Sequence, residues 1–169
     1  PQDLATALQM LAEGGAAARP LAGGTDLIPN AKLGQTKVTT AVLLRHVAEL
    51  RGVERRGADL WLGASTGLSD LAADADVLAL LPALADAARH VASPQIRNMA
   101  TLGGNLCLDT RCRYINQSEF WRGALGGCLK SHGSECHVVP GAQGCVAALS
   151  SDTAPVLLAY GATCEIAGW

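Results

Sequence analysis

Four cysteines in the middle of the chain, Cys112, Cys128, Cys136 and Cys145, are spaced C-x15-C-x7-C-x8-C. Thiolates are soft ligands, and four of them suit an iron–sulfur cluster or zinc. Zinc sites usually build on close cysteine pairs that set up a tight knuckle, and this stretch has none. The wide spacing suits a loop wrapped round a larger object such as a cubane. Gly123, Gly126, Gly127, Gly133, Gly141 and Gly144 give that loop freedom to wrap. His132 and His137 keep a mixed Cys/His zinc site open, and a surface loop with free thiols is the plain alternative. Cys107 and Cys164 lie outside the loop, in apolar or alternating runs, and are expected to be buried small hydrophobes.

Two glycine turns form a second constellation: Leu21-Ala22-Gly23-Gly24-Thr25-Asp26 and Thr101-Leu102-Gly103-Gly104-Asn105-Leu106. Paired glycines let the backbone approach a ligand closely, and successive N–H groups aimed into one concavity suit phosphate oxygens. A helix start directly behind the first turn adds partial positive charge. Neither turn matches G-x-G-x-x-G or G-x-x-x-x-G-K-[ST], so a Rossmann or P-loop assignment is not supported, and each turn alone reads equally as ordinary loop geometry. No nucleophile–base pair and no paired carboxylates stand out. His46 and His90 read as surface or helix-end residues, Trp121 as loop core, and Asp70 and Asp76 as solvated helix-end charges.

The elements that must hold these residues can be read from periodicity. Asp3 to Glu13 is helical and stops at Gly14-Gly15; Arg19 to Ala22 is a strand running into the first glycine turn. Thr25 or Asp26 caps a helix over Leu27 to Leu33, and Thr39 to Leu44 is the next strand, giving a β-α-β unit. Gly52 to Arg56 and Asp59 to Gly63 pair round Gly57-Ala58-Asp59. Thr66 to Ala73 and Pro82 to Val91 are helices, Ser93-Pro94 ends the second, Ala154 to Gly161 is helical, and Ala162 to Ala167 is a strand. The expected fold is α/β (α+β) in two lobes, residues 1–50 and 51–169, with 112–145 inserted in the second.

Bulk properties narrow the class. The 169 residues carry a net charge of −2 without a basic stripe, which argues against nucleic acid. No apolar run is long enough to span a bilayer, and no charged n-region of a signal peptide is visible. Six cysteines could form disulfides in a secreted protein, but a chain that is 49% hydrophobic can build a core without staples. A reducing, cytoplasmic setting with metal-bound thiolates is expected. The chain reads as truncated at both ends.

Taken together, Leu21 to Leu27, Ser93 to Leu106 (SPQIRNMATLGGNL) and Ser151-Asp152-Thr153-Ala154-Pro155 resemble, in that order, the flavin-binding subunit or domain of the molybdenum hydroxylase (xanthine dehydrogenase) family. The resemblance implies a two-lobed FAD-binding domain of the molybdopterin dehydrogenase type, lacking its C-terminal part. It implies that Ala22, Gly23, Gly24, Thr25 and Asp26 hold the FAD pyrophosphate, and that Thr101, Gly104, Asn105 and Asp152 also contact FAD. Within that family, LCLDTRC, Asn116 to Arg122, Cys128-Leu129-Lys130 and Cys136 to Val139 are similar to the insertion of the 4-hydroxybenzoyl-CoA reductase branch. This second resemblance implies a [4Fe–4S] cluster on Cys112, Cys128, Cys136 and Cys145, with His132 and His137 packed round it. It further implies a molybdenum-binding subunit and a small iron–sulfur subunit as partners, carrying the molybdenum cofactor and further clusters. A ferredoxin-like donor would feed electrons, and no residue of this chain would read the substrate.

Overall fold

The computed structural model describes residues 1–168. The chain divides into two compact units. The first comprises residues 1–26, 38–107 and 151–168, and the second residues 27–37 and 108–150. This division differs from the expected 1–50 and 51–169 lobes, because the short segment after the first glycine turn packs with the cysteine region.

In the first unit, helix α1 (Leu4–Gly14) begins where Asp3 accepts the Thr6 N–H at 2.8 Å. Its Ala7, with Leu4 and Leu11, packs on Val42 and Val47 as one small core. Strand β1 (Ala18–Leu21) lies parallel to β2 (Thr40–Leu43), in register from Ala18 opposite Thr40 to Leu21 opposite Leu43. A parallel pair needs a crossover between its strands, and helix α2 (Leu27–Lys32) supplies it. Strands β3 (Val53–Arg56) and β4 (Asp59–Leu62) form an antiparallel hairpin whose turn places Gly57 at φ +63°.

A larger core follows. Leu68 and Leu71 of α3 (Leu68–Ala73), Val77 of α4 (Ala75–Leu80) and Leu84, Ala85 and Ala88 of α5 (Pro82–His90) bury together with Leu102. Helices α6 (Pro94–Arg97) and α7 (Leu102–Leu106) lead to the cysteine region, and α9 (Ala154–Ala159) follows it, with Val156 and Leu157 against the same core.

The second unit is built otherwise. It holds α2 and α8 (Glu119–Ala124), and no residue in 27–37 or 108–150 is buried. Hydrogen bonds hold it instead. Arg122 Nη2 donates to the Gly34 carbonyl at 3.1 Å, Gln35 Nε2 to the Gln117 carbonyl at 3.3 Å, and Arg111 N to the Ala148 carbonyl at 2.7 Å.

Several expectations are corrected. Ala162 to Ala167 forms no strand, since no partner offers it a ladder among the described residues, and Ile166 and Cys164 are exposed. Cys107 is also exposed rather than buried. Ser93-Pro94 both ends α5 and opens α6, with Ser93 Oγ accepting the Ile96 N–H. Gly103-Gly104 lies inside α7 and is not an open turn. The helix expected from Thr66 starts at Leu68, because the Thr66 hydroxyl is spent on the Gly52 backbone, at 2.9 and 3.0 Å. Among the described residues, no helix is long and apolar enough to cross a membrane.

Candidate functional site

The two glycine turns meet in the first unit. A Cβ added at Gly23 would stand 1.8 Å from the Met99 carbonyl oxygen, so the first turn lies against the backbone that leads into the second. A Cβ at Gly104 would come 4.0 Å from the Ala22 Cβ. Gly24 sits at φ +75°, the left-handed region that glycine enters without strain. Separation along the chain concealed this juxtaposition, which the β1–β2 pairing and the α6–α7 path create.

The turns are not equivalent. In the second, every N–H from Leu102 to Asn105 is taken. Leu102 N donates to Thr66 O, Gly103 N to Ala64 O, Gly104 N to Thr101 Oγ1 and Asn105 N to Thr101 O. In the first, the N–H groups of Gly23, Gly24 and Thr25 have no acceptor among the described residues of this unit. The first turn can therefore donate to an anion, whereas the second offers a surface stripped of side chains.

Behind the second turn sits a polar hub that the sequence reading missed. Buried Asn105 accepts through Oδ1 from Ser151 Oγ at 2.9 Å, Thr153 N at 3.1 Å and Thr153 Oγ1 at 2.7 Å. Its Nδ2 donates to Asp152 Oδ2 at 3.4 Å, leaving Asp152 on the exposed side. Three consecutive hydrogen-bonding side chains, Ser151-Asp152-Thr153, were the available signal. The outer two fasten Asn105, and only the middle one faces solvent.

In the second unit, Cys112, Cys128, Cys136 and Cys145 line one small concavity, open to solvent. Tyr114, Leu129, Lys130, His137 and Val146 complete its wall. Cys128 stands on a closed turn, where its carbonyl accepts from Ser131 N at 2.8 Å and Gly133 N at 2.9 Å. Lys130 Nζ ties this turn to Asp109 Oδ1 at 2.6 Å and to the Thr110 carbonyl at 3.2 Å. Asp109 is held below the usual carboxylate range, first by that ammonium. The Cys136 thiol is lowered chiefly by the N–H groups of Val139 and Val138 aimed at its sulfur, against a small opposing effect of burial. Ala147 N donates to Cys145 Sγ at 3.5 Å.

The two histidines of the insertion sit in different surroundings. His137 Nε2 lies 2.6 Å from the Gly127 carbonyl, which obliges that nitrogen to carry a proton and donate. Its ring packs 5.1 Å from that of Tyr114. His132 is exposed, at φ +63°. Among the described residues, no three Cys, His, Asp or Glu side chains stand close enough to share one metal ion.

A mixed helix–strand chain with paired glycine turns over an Asn–Asp hub defines a class of cofactor-binding domain. Residues 1–168 match the family described as the FAD binding domain in molybdopterin dehydrogenase, and the chain belongs to that family. It is 37% identical over 106 residues to the carbon monoxide dehydrogenase medium chain of Hydrogenophaga pseudoflava, covering 63% of this chain and 37% of that one. It is 34% identical over 154 residues to the aldehyde oxidoreductase FAD-binding subunit PaoB of Escherichia coli (strain K12), covering 88% and 48%. The solved carbon monoxide dehydrogenase from H. pseudoflava lacking the Mo-pyranopterin moiety superposes with a TM-score of 0.61 at 37% identity, over 63% of this chain and 37% of that one. The chain thus spans less than half the length of these relatives. The family resembled in the sequence is thereby shown, while closeness to 4-hydroxybenzoyl-CoA reductase is not.

The extents of the matches differ usefully. A match of 106 residues cannot contain both Gly23 and Cys145. A continuous match over 88% of 169 residues leaves out only about 20 at the ends, so the PaoB match runs through 112–145.

Proposed function

We propose that this chain is the FAD- and [4Fe–4S]-binding part of an electron-transfer subunit in a molybdenum oxidoreductase. One observation carries the cluster: four cysteines spread over 112–145 line a single concavity in a unit that buries no residue of its own. A small unit without a core needs another source of folding energy, and metal binding to thiolates supplies it. Four thiolates lining one concavity suit an object with four irons, each taking one thiolate.

The FAD pyrophosphate would lie on the open N–H groups of Gly23, Gly24 and Thr25. Asp26 would stand beside it, Thr101 and Gly104 would allow close approach, and Asp152, positioned by Asn105, would accept from the cofactor. When bound, the flavin and the cluster supply electron storage and relay, and the protein's share is position and polarity. The electrons would reach partner subunits holding the molybdenum cofactor and further iron–sulfur clusters, in the cytoplasm, where thiols stay reduced.

For the reaction served, the insertion's likeness to 4-hydroxybenzoyl-CoA reductase supports reductive dehydroxylation of that thioester with electrons from a ferredoxin-like donor. A second reading, aldehyde oxidation, is favoured by the PaoB match over 88% of the chain. The test begins with the full-length subunit prepared anaerobically. It should hold about four irons per chain and one FAD. A C128S/C136S double variant should lose iron and keep FAD, whereas full iron in that variant overturns the ligand set. The complex with its partner subunits is then assayed with 4-hydroxybenzoyl-CoA and a reduced ferredoxin-type donor, and with aldehydes and an oxidised acceptor. Turnover only in the second assay moves the protein to the aldehyde branch.

A further inference from the structure

Three of the four cysteine sulfurs have a hydrogen-bond partner within this unit, and the partners are not alike. Val139 N lies 3.4 Å from Cys136 Sγ and Ala147 N lies 3.5 Å from Cys145 Sγ. Both donors are main-chain groups that no side-chain substitution removes. At Cys128 the donor is a hydroxyl. Ser131 Oγ accepts the Cys128 N–H at 3.1 Å, so that bond does not use its own proton. The same oxygen lies 3.4 Å from Cys128 Sγ, and once that sulfur is a thiolate the hydroxyl can only be the donor.

The turn fixes this geometry rather than the rotamer alone. Ser131 N and Gly133 N both close on the Cys128 carbonyl. A Cβ at Gly133 would stand 2.5 Å from Cys128 N, and one at Gly127 would stand 2.6 Å from the Ser131 carbonyl oxygen. The two glycines let the backbone fold back on Cys128 until residue 131 lies over its sulfur.

We propose that Ser131 is a positioning and tuning residue, whose hydroxyl donates to the Cys128 thiolate and raises the reduction potential of the group those thiolates hold. This rests on the cluster reading above. A cluster gains one negative charge on reduction, part of it on the cysteine sulfurs, and a donor aimed at a sulfur stabilises the reduced state more than the oxidised one.

The test uses the full-length subunit, prepared anaerobically as wild type, S131A and S131T. Iron content is measured, and the cluster is titrated with a dithionite-type reductant while its paramagnetic signal is followed. Potentials are read only on the loaded fraction, so partial loss of iron does not obscure them. S131A should take up the electron about tenfold less favourably than wild type, a fall of about 59 mV for a one-electron couple. S131T, which keeps the hydroxyl, should return towards the wild-type value. An S131A potential equal to wild type overturns the proposal. An S131A that loads no iron at all makes the hydroxyl a requirement for assembly, and overturns it as a tuner. A wild-type subunit without iron defeats the cluster reading itself, which a loaded cluster with an unmoved potential does not.

Discussion

Asn105 shows how a residue named for cofactor contact can have its main work behind the site. Its Oδ1 satisfies the Thr153 N–H and two hydroxyls in a buried setting. In N105A the Thr153 N–H loses its acceptor. A buried unsatisfied donor of this kind costs about 1–3 kcal/mol. An unfolding free energy lower by about 2 kcal/mol in urea denaturation is expected, together with loss of FAD, since Asp152 loses its neighbour; an unchanged unfolding free energy would show that the hub is dispensable. The two glycines separate in the same way. Gly23 is fixed by its approach to the Met99 carbonyl, so G23A should destabilise the fold whether or not FAD is present. Gly104 is exposed, and its added Cβ would meet side-chain atoms alone, Thr101 Oγ1 at 3.0 Å and Ala22 Cβ at 4.0 Å. G104A should therefore keep most of the thermal stability of the cofactor-free protein while FAD occupancy falls. Equal loss of stability in both variants would reduce Gly104 to a packing residue.

At the scale of elements, α7 depends on one cap. Thr101 Oγ1 accepts the Gly104 N–H at 3.1 Å, in a helix of five residues containing two glycines. Propensity cannot hold such a helix, and the cap with its buried Leu102 does. T101A should cost about 1 kcal/mol in chemical denaturation, and T101S should restore most of it. Elsewhere, Arg55 of β3 pairs with Asp76 in the first turn of α4 at 2.5 Å. The Asp76 carboxyl is lowered from its ordinary value, first by the hydrogen bond from Arg55. A depressed carboxylate contributes stability above its unfolded pKa and loses it as pH falls through the folded one. The small advantage of wild type over D76N should thus be present at neutral pH and vanish in acid below the carboxylate range. An advantage independent of pH would assign it to packing. The pair is exposed and salt should shrink it further.

For the whole molecule, the two units differ in what holds them together. The first has two apolar cores, and the second has hydrogen bonds and a ring of thiols. If thiolate-bound metal supplies the missing cohesion, the C128S/C136S variant should lose amide-exchange protection throughout 108–150 and in 27–37, whose Gly34 and Gln35 bond to Arg122 and Gln117. Residues 68–106 should stay protected in that variant. Uniform protection in both units would show that the second folds without its metal. Local opening of this kind follows the density of buried contacts, and the second unit has the fewer.

The sequence by itself determined a good deal. Apolar spacing placed α1, the β1-α2-β2 path, the β3–β4 hairpin and α5 within a few residues, because short-range periodicity and turn chemistry decide those elements. Residue type made the four cysteines candidate ligands and the paired glycines candidate close-approach points. What it could not carry was contact between distant segments. That Gly23 rests on Met99, that Thr153 and Ser151 hold Asn105, and that residues 27–37 pack with the cysteine region are tertiary facts with no local signature. The same limit explains the errors. Ala162 to Ala167 alternates like a strand, yet a strand exists only where a neighbour accepts its hydrogen bonds. Gly103-Gly104 reads as a turn by propensity, yet the Thr101 cap and the Thr66 and Ala64 carbonyls wind it into a helix. The tertiary structure decided which backbone donors remain free for a ligand, since a donor is free only when no distant part of the chain has claimed it.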